Sequence, residues 1–359
     1  MQCTVWMPVL LALCFAGTVT ARQRPSPLLP GAPASQANLG KLAEGVFAQI
    51  VSPDSDAASN SCVVVLDSGA LIFDTHLTPE AGEALLEKVK TVTARPVRYL
   101  VNSHFHPDHT HGNQAFTTAR QIIGSSNTRR DMLQRDLPSL NRVQLIAQSQ
   151  VEQLNKDLSQ EPDAKKQEAL RSQLNSRQAF MHRMAALKIL APWMTFDDSL
   201  SIIDGGREVQ LFYFGIGHTD GDVVLYLPEE KIAFLGDIFF NDAIPNVEDA
   251  NMLEWTKTLG EVLKLDAKTY VPGHGQVGAR SDVERFLNYL EDLKALVEPA
   301  VARGDTLEQL IRDLHVPPKY ASYSFQSFFP ANLQKMYTEL KTLRSSSSQE
   351  AVKKQGPLP

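Results

Sequence analysis

Four histidines and one aspartate crowd the eight residues from His104 to His111, directly behind the apolar run Val97–Val101. A buried strand that ends in such a loop constrains the fold, because it needs neighbouring strands and covering helices, with chemistry at its C-terminal end. The preceding sequence supplies them. Val46–Val51, Cys62–Leu66 and Ala70–Phe73 read as strands, the last two joined by a turn at Asp67-Ser68-Gly69. Pro79–Val92 has helical periodicity, with Thr78 as N-cap and proline at the first helical position. Strand, helix, strand and His-rich loop form an α/β unit.

Residues 127–190 differ in character. They contain no glycine and place Val143, Ile146, Val151 and Leu154 at helical spacing. With a turn at Pro162-Asp163, they read as an inserted helical hairpin: a lid, a wall, a dimer contact or a plain packing element. Strands return at Ser199–Ile203, Glu208–Phe214, Val223–Leu227, Ile232–Leu235 and Thr269–Val271, with helices over Met252–Leu265 and Asp282–Arg303. Residues 301–344 read as a C-terminal helical extension, with helices at Thr306–Leu314 and Ala331–Leu343. Residues 345–359, with a four-serine run, read as a disordered tail.

Residues 1–21 read as a cleavable signal peptide, which implies a periplasmic or secreted protein. Met7–Val19 is apolar but too short to span a bilayer, Ala21 is a small residue at the cleavage point, and charge resumes at Arg22. A lipid anchor through Cys14 fits less well, because the bulky Leu13 precedes it. Residues 22–41 read as a flexible lead-in, and no other stretch reaches transmembrane length. Once Cys3 and Cys14 leave with the signal, Cys62 stands alone among valines as an inert strand cysteine, so no internal disulfide can form. A hydrophobic fraction of 43% supports a sizeable core. A net charge of −6 gives no sign of a polyanion such as nucleic acid as the main partner, and a small-molecule substrate is the expectation. The oligomeric state is not legible.

The histidine cluster suits a metal. Side chains alternate in an extended segment, so His104 and His106 project to one side and can chelate one ion. Asp108 and His109 follow Pro107, which turns the chain towards a second position. Further donors should come from behind other strands. His218 sits in Gly217-His218-Thr219, Asp237 follows Ile232–Leu235 through Gly236, and His274 lies in Pro272-Gly273-His274-Gly275. Zinc takes imidazole nitrogen and carboxylate oxygen, and a buried lone carboxylate is costly without a cation.

The series His-x-His-x-Asp-His, Gly-His-Thr, Gly-Asp after a strand and Pro-Gly-His-Gly resembles the metallo-β-lactamase-fold hydrolases over residues 42–300. Asp74, ending Leu71-Ile72-Phe73-Asp74, resembles the family's first motif. The resemblance implies an α/β fold, a four-layer αββα sandwich, here with an inserted helical hairpin and C-terminal helices. It implies two zinc ions, manganese or iron also being compatible with an aspartate bridge. His104, His106 and His218 would hold the first ion, and Asp108, His109 and His274 the second. Asp237 would bridge the two, and Asp74 would lie beneath them without ligating. His111, where many members carry glycine, would stand beside the ligands rather than among them. His76, His182 and His315 read as structural.

The implied reaction is attack of a metal-bridged hydroxide on a carbonyl ester or amide, such as a lactone or β-lactam, with Asp108 as the catalytic carboxylate. Asp237 stands where the common zinc β-lactamases carry cysteine or serine, and Phe240 where they carry a lysine for the drug's carboxylate, which weighs against β-lactams. A phosphodiesterase or thioesterase of the same fold is the alternative. A mono-iron sulfur oxygenase and a non-enzymatic metal-binding protein are alternatives of other classes, though the presence of both His109 and His274 favours two metals. Tyr320, Tyr323, Phe325 and Phe328 are expected to pack the C-terminal segment rather than line the pocket.

Overall fold

In the computed structural model, which describes residues 37–52 and 55–354, two sheets stack face to face. The signal peptide and most of the lead-in lie outside the described residues. The first sheet runs in chain order through β1 (Leu39–Ala43), β2 (Val46–Gln49), β3 (Ser61–Val65), β4 (Ala70–Phe73), β5 (Val97–Val101), β6 (Gln121–Ser125) and β7 (Met194–Phe196). Its pairs are antiparallel up to β4 and parallel from there. The second sheet comprises β8 (Ser199–Asp204), β9 (Arg207–Phe212), β10 (Val224–Leu227), β11 (Ile232–Phe240) and β12 (Thr269–His274), ordered β12-β11-β10-β9-β8.

Side-chain alternation creates the layers. On β4, Leu71 and Phe73 enter the core between the sheets, where they join Val64 and Val101 and meet Leu225, Phe234 and Val271 from the second sheet. Ala70 and Ile72 face the other way, against Leu85 and Val89 of α1 (Pro79–Val92). The Thr78 hydroxyl caps α1 by accepting the Ala81 amide at 3.1 Å. β11 repeats the rule. Ile232 and Phe234 point between the sheets. Ala233 and Leu235 meet Trp255, Phe286 and Leu333.

The remaining helices are α2 (Pro107–Thr110), α3 (Ser126–Asp131), α4 (Leu137–Gln160), α5 (Ala164–Ala186), α6 (Met252–Val262), α7 (Arg280–Arg303), α8 (Leu307–Asp313) and α9 (Phe329–Lys354). Helices α6, α7 and α9 cover the second sheet, which gives the four layers. A one-turn π-helix, Met132–Asp136, joins α3 to α4. The antiparallel pair α4 and α5 has its own small core of Leu140, Ala147, Phe180, Met184 and Leu187.

Several elements differ from the sequence reading. β1 starts at Leu39, within the segment read as a flexible lead-in, and gains its order by pairing with β2. β6 and β7 are short strands that local pattern did not reveal, made by parallel pairing onto β5 and onto each other. β11 does not stop at Leu235 but continues to Phe240. α9 carries on to Lys354, through the serine run read as a tail. There Ser345 and Ser346 donate their hydroxyls to the Lys341 and Thr342 carbonyls at 2.9 and 3.1 Å. This i−4 pattern is one of the few ways serine sits in a helix.

Candidate metal centre

The His-rich loop is held from below. Asn102, one residue past β5, pairs its amide with that of Asn113 at 2.9 and 3.1 Å. The Thr75 amide donates to the His109 carbonyl at 3.0 Å. Pro107 then opens α2, with His106 as its extended N-cap. That single turn is why His104 and His106 face one side while Asp108 and His109 wrap towards another.

The other strands complete the site. Gly236 has φ +51° and lies between two register shifts of the β11–β12 pairing. Such a backbone suits glycine, and the irregularity sets Asp237 within a strand that continues past it. Opposite, Gly273 on β12 leaves room for the carboxylate: a Cβ there would meet Asp237 Oδ1 at 1.9 Å. His274 follows at the end of β12, and His218 comes from the turn before β10.

All seven residues expected as ligands converge in two groups. One is His104, His106, His218 and Asp237, the other Asp108, His109 and His274, and within each group the donor atoms lie within 4.8 Å of one another. Asp237 touches both. Its Oδ2 lies 3.3 Å from His218 Nε2 and 3.4 Å from His274 Nε2, and its Oδ1 lies 3.2 Å from His109 Nε2. His106 Nδ1 lies 2.9 Å from His218 Nε2. His104 Nε2 and His109 Nε2 are buried with no hydrogen-bond partner. Buried polar nitrogens are rarely left so. Imidazoles and carboxylates converging on shared points, with unpartnered nitrogens among them, fit divalent cations.

The electrostatics fit as well. Burial, with the neighbouring His109 and His106, holds His104 well below the ordinary histidine range. Burial likewise takes His218 down to about 3. Burial also opposes a charged His274, but Asp237 and Asp108 outweigh it and push its pKa up to about 9. Burial disfavours the Asp237 carboxylate, yet His274, His109 and His218 hold it below the usual carboxylate range. His104 and His218, held neutral, are already in the form a metal needs, whereas His274 must give up a proton to bind one.

Asp74 sits beneath this cluster, as expected, in a left-handed conformation of φ +62°. Its Oδ1 accepts the Ser103 amide at 2.7 Å, and its Oδ2 lies 2.7 Å from His109 Nδ1. His111 points away: its Nε2 lies 3.2 Å from both oxygens of Asp136 in the π-helical turn. His76 is buried between the Ser59 carbonyl and Gln49 Oε1 at 2.9 and 3.1 Å, whereas His182 and His315 are exposed. Cys62 is buried, and burial pushes its thiol up.

Sequence reasoning missed one partner, Asp249. Its Oδ2 lies 2.9 Å from His106 Nε2, on the side of the ring away from His218. It belongs to no motif and reaches the site on the loop between β11 and α6. The aromatic expectation divides. Tyr320 and Tyr323 pack on Tyr289, at ring distances of 5.0 and 6.3 Å. Phe325 instead presents its ring edge-on to His274 at 5.8 Å, with Phe328 5.8 Å behind it. Phe240 stacks on His274 at 5.2 Å.

Comparison with known proteins agrees with this geometry. The profile of the metallo-beta-lactamase superfamily matches residues 55–274. A linear primary-alkylsulfatase from Pseudomonas sp. (strain ATCC 19151) is 25% identical over 71% of the chain and 50% of the relative. A type 2 metallo-beta-lactamase from Bacteroides fragilis is 37% identical over 25% of the chain and 38% of the relative. Another from Pseudomonas aeruginosa is 23% identical over 80% and 94%. The matched region thus spans half of the alkylsulfatase's length and 38% of the Bacteroides fragilis enzyme's. The solved metallo-beta-lactamase from Pontibacter korlensis superposes with a TM-score of 0.53 at 21% identity, over 71% of this chain and 99% of that one. The chain belongs to the metallo-beta-lactamase superfamily.

Proposed function

We propose that this protein is an exported hydrolase that holds two zinc ions and cleaves a carbonyl ester or amide in a small, largely apolar substrate. The observation that carries the reading is the Asp237 carboxylate, which contacts histidines of both donor groups. His104, His106 and His218 would hold one ion and Asp108, His109 and His274 the other, with Asp237 shared. A bound pair would lower the pKa of water towards about 7 and polarise the scissile carbonyl.

The chain's own groups do the rest. Asp108 is the more exposed of the two carboxylates in the donor groups, at 24% against 4% for Asp237. Burial disfavours its charge, but His109 and His274 outweigh that and hold its carboxyl well below the usual range. It is therefore ionised at neutral pH and able to accept a hydrogen bond from the attacking water and so orient it. Phe325, half-buried and edge-on to His274, would offer an apolar face to the substrate, while the buried Phe240 stacks on the same ring.

Sulfate-ester hydrolysis is a second reading, favoured by similarity to the alkylsulfatase over 71% of the chain. Chromogenic lactone, ester, β-lactam, thioester, phosphodiester and sulfate-ester substrates, assayed with and without chelator, separate the two. Carbonyl-ester or amide hydrolysis lost on chelation and in His106→Ala supports the lead reading. Chelator-sensitive turnover of the sulfate ester alone replaces it with the second. Metal analysis accompanies the panel: about two zinc per chain is expected, and a single iron would sink both.

A further inference from the structure

The root of the helical insert grips two of the histidines assigned to the first metal position. On one side, the Ser125 and Thr128 hydroxyls donate to the Gly221 carbonyl at 2.7 and 2.8 Å. Arg130 Nη2 donates to Asp220 Oδ2 at 2.7 Å. These contacts pin the turn that carries His218. On the other side, Arg135 in the π-helical turn is hydrogen-bonded and ion-paired with Asp249. Asp249 in turn lies 2.9 Å from His106 Nε2. The Arg135 guanidinium also covers the Phe105 ring at 4.5 Å, between the two chelating histidines in sequence. Asp136, the next residue, takes His111.

A π-helical turn adds a residue to a helical stretch and is frequent at functional sites. Here it directs Arg135 and Asp136 to two different points of the metal-site framework. The chemistry of the relay is specific. A carboxylate on Nε2 keeps the proton on that nitrogen and leaves the Nδ1 lone pair of His106 facing His218 and Asp237. Asp249 has two oxygens, and the second is engaged by Arg135. Without the guanidinium, the carboxylate could turn towards solvent.

Resting on the two-metal reading above, we infer that Arg135 is a positioning residue for the first metal site. It acts on His106 through Asp249, and the insert is thereby a structural part of the metal centre rather than an appended hairpin. Positioning partners of this kind are typically worth about 10–100-fold in metal affinity.

The test is zinc titration of the full-length protein against a chromophoric chelator, with thermal midpoints of the metal-free proteins measured alongside. Arg135→Ala and Asp249→Asn are expected to weaken one of two zinc sites by about 10–100-fold, leaving the other site and the metal-free midpoint near wild type. Arg135→Lys is expected to recover part of the loss, since a charge without the planar fork still attracts Asp249. Leu145→Ala, on the exposed surface of α4, is expected to bind zinc as wild type does. Wild-type zinc affinity in Arg135→Ala, with or without a lowered midpoint, overturns the inference. If Arg135→Ala fails to fold, Asp249→Asn and Arg135→Lys decide by the same criterion. A wild-type protein that takes up no zinc would instead overturn the two-metal reading itself.

Discussion

Nδ1 of His109 lies 2.7 Å from Oδ2 of Asp74, whose other oxygen accepts the Ser103 amide. The pair ties the base of β4 to the His-rich loop and decides which nitrogen of His109 carries the proton. With the Nδ1 proton held by the carboxylate, the buried Nε2 keeps its lone pair on the Asp237 side, free for a cation. Burial raises the Asp74 pKa, and His109 and Ser103 oppose that rise.

Asp74→Ala should therefore lower metal affinity by about 10–100-fold and activity with it. Chelator competition would show this directly. Retention of wild-type affinity would mean that the His109 ring is oriented by packing alone.

Gly273→Ala should displace Asp237, because the new Cβ would come within 1.9 Å of Oδ1 and 2.9 Å of the Gly236 carbonyl carbon. Overpacking of this kind costs about 1–3 kcal/mol. The expected result is a lower denaturant midpoint together with loss of bound metal. Full metal loading at unchanged stability would show that the strands can move apart.

His76 predicts a pH dependence of the metal-free protein. Burial takes its pKa from 6.5 down to about 4, so between those values the unfolded chain binds more protons than the folded one. Stability from this residue is complete above pH 6.5 and is lost as pH falls towards 4, on the order of 3 kcal/mol in all. Urea titrations in chelator across that range should show a shallower decline for His76→Gln than for wild type. Parallel declines would assign the acid sensitivity to other groups.

Phe325 lies edge-on to His274 and is only half-buried. Phe325→Ala should raise KM about 3–10-fold for substrates with an apolar acyl or alkyl group and leave kcat within about twofold, since uniform binding is what an apolar wall supplies. Steady-state kinetics on short- and long-chain substrates would reveal the difference. An equal effect on both would assign Phe325 a packing role.

That these seven residues come together was legible in the sequence because each lies in a short, chemically unusual run at or near the end of an expected strand. The layered α/β fold was legible because alternation in runs such as Ala70–Phe73 requires two buried faces. β6 and β7 were not, because strands of five and three residues acquire their identity from a neighbour's hydrogen bonds. Nor was Asp249. An aspartate in an ordinary loop carries no mark of function until the chain brings it to His106, 143 positions away. The same holds for Arg135, which lies without any motif of its own inside the segment read as a helical hairpin. Local pattern determined which groups this protein has for binding metal. Only the tertiary structure decided which groups orient them, because those contacts depend on direction and distance across the folded chain, which composition and spacing do not encode.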